Sequence, residues 1–113
     1  MPPARPLPVI DEVHLADVTD DCPSLQRDLL RLWAEAARGY ATAFDPEGTQ
    51  VAWREAVHAL RGAAGAIGAA EVLAATDAAS LASGLVGRRL AARRLREATE
   101  RSIEEAVRRA WRG

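Results

Sequence analysis

Between Val51 and Ala69 the chain places a histidine among two arginines and two glycines at helical spacing. On a wheel of about 100° per residue, Trp53, Ala56, Leu60, Ala63, Ala64 and Ile67 gather on one side, with Val57 at their edge. His58 falls nearly opposite. Its neighbours on the outer face are Arg54, Glu55, Arg61, Gly62 and Gly65. A histidine pointing away from a core fills no space. At neutral pH imidazole is largely uncharged, and one ring nitrogen keeps a lone pair that can attack phosphorus in an acyl phosphate such as phospho-aspartate. The acceptor then carries about two negative charges. Arg61, three residues on, and Arg54, four residues back, can offset them. Glycine inside a helix costs about 1 kcal/mol relative to alanine. Gly62 and Gly65, one and two turns beyond His58, leave room for a partner to approach. Phosphoryl transfer needs mainly in-line positioning and charge stabilisation, so a fixed helical imidazole serves without a pocket of its own.

The elements that must hold this face are helical. Hydrophobic residues make up 49% of the 113, but aromatics only 4%, and alanine supplies much of the remainder. That balance favours closely packed helices over a sheet. A proline-rich lead-in occupies residues 1–10. Asp11 caps a short helix through about Val18, and Thr19-Asp20-Asp21-Cys22-Pro23 breaks the chain. A second helix is expected from about Pro23 to Phe44. Its apolar stripe runs through Leu25, Leu29, Leu32, Ala36 and Ala43, with Leu30, Trp33, Ala37, Tyr40 and Phe44 beside it. Thr49 caps a third helix ending near Ile67. A fourth follows from about Ala70 to Ser83, with Val72, Leu73, Thr76, Ala79 and Leu81 inward. Gly84 and Gly87 mark a turn, and a fifth helix runs from about Arg88 to Trp111 over Leu95, Ala98, Ile103, Ala106, Val107 and Ala110. Four long helices with short links predict an all-α, up-down-up-down antiparallel four-helix bundle with a short N-terminal capping helix, in one domain over 11–113.

Charge excludes little but is unevenly spread. The net charge is -1; residues 87–113 hold nine arginines against four glutamates, and residues 1–86 hold six arginines against twelve acids. Interleaved charges at i,i+3 and i,i+4 read as a solvated helix face, and the glutamates speak against nucleic acid. The lone Cys22 offers neither a disulfide nor a metal site. No apolar run approaches a membrane span or a secretory signal, so a cytoplasmic location is expected. His14 lacks the context of His58 and reads as structural or exposed. Trp33, Trp53 and Trp111 read as packing residues, and Asp11, Asp17, Asp20 and Asp21 as caps and solvated charges.

The string His58-Ala59-Leu60-Arg61-Gly62-Ala63-Ala64-Gly65-Ala66-Ile67-Gly68-Ala69 resembles the motif of histidine phosphotransfer (HPt) domains. That motif has the phospho-accepting histidine, a hydrophobic residue two on, a basic residue three on, glycine four on, and glycine-alanine ten and eleven on. The pair after the first glycine is often serine in the family and is Ala63-Ala64 here. The Val9-Ile10-Asp11 segment, the Leu25–Trp33 helix and the overall length fit more loosely. The resemblance implies phosphorylation of His58, with Nε2 the more accessible nitrogen, electrostatic support from Arg61 and steric clearance at Gly62. It implies a bacterial-type phosphocarrier, not an ATP-dependent kinase, working between receiver domains of response regulators or hybrid histidine kinases. Those receivers would dock on the exposed side of this helix, beside the N-terminal helix and part of the second. No cofactor of its own is implied, and magnesium belongs to the receiver. A monomer is expected, with no nucleic acid or membrane partner. Two other readings stay open: a non-catalytic HPt-like interaction module, and a dimeric bundle supplying a kinase dimerisation surface.

Overall fold

In the computed structural model, which describes residues 7–111, the chain forms five helices: α1 (Glu12–Val18), α2 (Pro23–Thr42), α3 (Gln50–Ile67), α4 (Ala70–Ser80) and α5 (Gly84–Ala110). Among the described residues there is no strand. The prolines at 2, 3 and 6 of the expected lead-in lie outside the described residues. The helices start where side chains can satisfy their unpaired amides. Asp11 accepts from the N–H groups of Val13 and His14 at 3.0 and 3.2 Å, and Thr49 accepts from Ala52 at 3.1 Å. Pro23 opens α2 behind Cys22. Asp20 and Asp21, at φ 51° and 58°, turn the chain between α1 and α2 in the left-handed region that aspartate tolerates better than most residues.

Each of the four longer helices packs on two others: α2 on α3 and α5, and α4 on α3 and α5. The core between them is mostly small and aliphatic, with Trp33, Phe44 and Trp53 as its large members. The indole N–H of Trp33 donates to Ser102 Oγ at 3.0 Å, joining α2 to α5. Ile10 is buried, so the core begins inside the expected lead-in.

Several expectations are revised. In α2 the buried residues are Leu30, Trp33, Ala34, Ala37 and Ala41, whereas Leu25, Leu32, Ala36 and Ala43 are exposed. The apolar arc is wider than one helix can bury, and the part turned inward is the one that carries Trp33, whose indole bonds Ser102 of α5. Helix α4 stops at Ser80, leaving Leu81 outside it and 85% exposed. Helix α5 begins at Gly84, whose φ of 72° makes the turn, so Gly87 lies inside the helix and is not a break. Val107 is also exposed, and Trp111 lies half out of the core beneath the Arg31 guanidinium, 5.2 Å from its ring centroid.

Helix α1 meets the end of α3. The Asp11 N–H donates to the Gly68 carbonyl at 2.7 Å, and His14 Nε2 lies 3.3 Å from the Ala66 carbonyl. Gly68 ends α3 at φ 76°, and a Cβ there would stand 2.9 Å from His14 Cδ2 and 3.0 Å from His14 Cβ. His14 is thus structural, and Gly68 is required twice over, by its backbone and by its neighbour. Gly68→Ala is expected to lower the unfolding free energy by about 2 kcal/mol or more. Gly39→Ala, in a helix with open space around it, should leave stability unchanged or raise it by up to about 1 kcal/mol. Urea midpoints compare the two.

Candidate functional site

The geometry of the site follows from how α3 is buried. Trp53, Val57, Leu60, Ala64 and Ile67 turn inward at spacings of three and four residues, all under 6% exposed. Burying each of the larger ones is worth about 1.5–3 kcal/mol, so the rotation of the helix is not free. His58 follows Val57 by one residue and therefore points to solvent, where it is exposed together with Arg54, Glu55, Arg61 and Gly62.

Trp53 fixes this face most firmly. Its indole N–H donates to the Ala79 carbonyl near the end of α4 at 3.0 Å. Phe44 meets its ring edge-on at a centroid distance of 5.4 Å, and the Arg88 guanidinium lies 5.8 Å from its centroid. Arg88 also donates to the Gly48 carbonyl and to Gln50 Oε1, tying the start of α5 to the start of α3.

His58 looks into a shallow, open groove of about 250 Å³ lined by Trp53, Arg54, Val57, His58 and Arg61 of α3 and by Ser80 of α4. Its lining combines two apolar side chains, Trp53 and Val57, with two arginines. Ser80 Oγ donates to the Asp77 carbonyl at 2.7 Å, and Arg61 Nη2 lies 3.1 Å from Asp77 Oδ1. The sequence reading placed Arg54 and Arg61 beside His58, and both line its groove. It missed Ser80 and Asp77. These two sit three residues apart on one face of α4, but only the crossing of α3 and α4 brings them to a histidine some twenty residues earlier. The Arg61–Asp77 pair is exposed on both sides, so it contributes about 0–1 kcal/mol, and a dianion on His58 can compete for the guanidinium. Glu55 and Arg54 make no ion pair among the described residues.

The two glycines separate. A Cβ at Gly62 would meet nothing within 4 Å. Gly65 is half-buried, and its Cβ would lie 3.9 Å from Leu73 Cδ2. The clearance beside His58 therefore centres on Gly62, while Gly65 faces α4. Gly39 and Gly87 are as bare as Gly62 on helices that carry no histidine. The distinguishing feature is the bare position beside an outward imidazole, not a helical glycine alone. Gly68-Ala69, the far end of the motif, serves architecture: Gly68 receives α1 and Ala69 is fully buried. Cys22 is exposed at the start of α2, and a hydrogen bond with Ser24 lowers its thiol pKa.

Among the described residues no group of three His, Cys, Asp or Glu side chains could hold a metal ion, and no helix is long and apolar enough to cross a membrane. No family profile, curated protein or solved structure matches this chain.

Since His58 is exposed and no described residue would meet a Cβ at Gly62 within 4 Å, His58→Ala should change the unfolding free energy by less than about 0.5 kcal/mol. Gly62→Ala should raise it by about 0.5–1 kcal/mol. Chemical denaturation reads both, and a loss above about 1 kcal/mol in either would assign the face a structural task.

Proposed function

We propose that this chain is a histidine phosphocarrier that accepts a phosphoryl group on His58 from the phospho-aspartate of a receiver domain and passes it to another receiver. The observation that carries the reading is the exposed imidazole above bare Gly62, in a groove shared with two arginines. The lone pair of the outer ring nitrogen, Nε2, forms the new N–P bond. The P–O bond to the donor aspartate breaks, and its carboxylate leaves as an anion. Passing the group on reverses this with a second aspartate. Arg61 and Arg54 offset the charge on the phosphorylated ring, and Gly62 lets the partner's loop approach in line. Nucleotide chemistry has no part in the step, and magnesium would come with the receiver.

The reading brings a finer view of the fold. Helices α2 to α5 form an up-down-up-down bundle, and α1 caps one end of it. The cyclic contacts of the four long helices and the Asp11–Gly68 hydrogen bond support this. A cytoplasmic bacterial monomer, its core closed within one chain, completes it.

One observation favours a second reading. Asp77 already engages Arg61, as it would in a helical interaction module that binds a partner without accepting phosphate. Incubation with a radiolabelled phospho-receiver separates the two. The carrier takes up acid-labile, alkali-stable label that is lost in His58→Gln. A module binds receivers and stays unlabelled. In the carrier, Gly62→Val should remain folded and slow transfer about 10–100-fold by displacing the partner. Arg61→Ala should slow it about fivefold, as fits an exposed charge contact.

A further inference from the structure

A second surface lies on the other side of α4. There Ala75, Ala78, Leu81 and Ala82 face Leu90, Ala91 and Arg94 of α5 across an open groove of about 160 Å³. Its lining is apolar for a solvated surface: Leu81 is 85% exposed and Leu90 48%. The charge beside it is equally one-sided. From Arg88 to Arg96 there are five arginines and no acid. Arg88 and Arg89 are engaged by the loop before α3, the latter through Glu47 at 3.2 Å. Arg93, Arg94 and Arg96 are exposed and form no ion pair among the described residues. The C-terminal half of α5 differs, because Glu97, Glu100, Glu104 and Glu105 are interleaved with its arginines there. Charges of both signs are thus interleaved in the C-terminal half of α5, while the solvated stretch from Arg88 to Arg96 carries arginine alone.

We infer that the α4–α5 groove is a docking site for an acidic amphipathic helix of a partner protein. The small side chains of α4 form a floor on which an apolar ridge can settle, with Leu81 and Leu90 closing over it. Carboxylates flanking that ridge meet Arg93 and Arg94. A bilayer surface is the weaker match, because the apolar groups converge on a cleft and do not form a convex face. Asp77 and Ser80 are on the His58 side of α4 and the floor alanines on the other, so occupation of this groove leaves the His58 groove open. The inference holds whether or not His58 is phosphorylated.

Titrating the 15N-labelled full chain tests it. The probes are a synthetic helix of about 18 residues, with leucine at every third or fourth position and glutamate between, a scrambled peptide of the same composition, and phosphatidylglycerol–phosphatidylcholine vesicles. The expected result is amide shifts confined to Ala75–Ala82 and Gly87–Arg94 with the ordered peptide, weakening with added salt. The double variant Arg93→Glu/Arg94→Glu should bind about tenfold or more weakly, and Leu81→Glu should abolish binding. These positions are exposed, so circular dichroism should report an unchanged fold; Arg94→Gln serves if the double reversal unfolds. Equal binding of the scrambled peptide, shifts centred on another face, no shifts at all, or binding to vesicles alone would each overturn the inference.

Discussion

Burial of Trp53 is the constraint from which the orientation of the His58 face follows. An indole of that size must lie in the core, and its N–H must find an acceptor there. The Ala79 carbonyl supplies one, and in doing so sets both the rotation of α3 and its distance from α4. Phe44 and Arg88 hold the ring from the remaining sides. With that ring fixed, a helix of 3.6 residues per turn has no choice about where position 58 points. The outward direction of His58 is thus a consequence of packing on the inner face.

The glycines in and just after α3 divide between open surface and architecture. Gly62 keeps space open where a partner would come, and Gly68 closes space where α1 must dock. Gly62 costs the helix about 1 kcal/mol relative to alanine, whereas Gly68, at φ 76° past the end of α3, is the residue that a left-handed cap favours. Gly39 and Gly87 are equally bare, so Gly62 stands out by its place beside an outward imidazole and not by its cost to the helix. Asp77 has a similar character. It gives Arg61 a resting partner in a weak, exposed pair that a stronger anion can displace.

Much of this was legible in the sequence, and what was not has identifiable causes. The register of α3 followed from Trp53, Leu60 and Ile67 because their side of the wheel is unambiguous. The register of α2 did not, because Leu25, Leu29, Leu30, Leu32 and Trp33 cover too wide an arc for periodicity to choose among them. The inward side is the one packed on α5, where Trp33 meets Ser102 about seventy residues away. Caps were read well at Asp11 and Thr49, where the signal is local. The start of α5 was misplaced because Gly84 and Gly87 look alike in sequence, and only Gly84 takes a positive φ. Ser80 and Asp77 could not be assigned to the site from spacing, since their relation to His58 exists only once α3 and α4 cross. His14 and Gly68 likewise form one joint from opposite ends of the first three helices.

The central claim is that His58, and not the chain's other histidine, bears the phosphoryl group. The most direct measurement is the one-bond coupling between 31P and a ring 15N in protein carrying 15N-histidine, recorded after exposure to a phosphorylated receiver domain. The account predicts one coupled imidazole nitrogen, retained in His14→Gln and absent in His58→Gln. A coupling that survives loss of His58, or none in a sample whose receiver has bound and discharged, would contradict it.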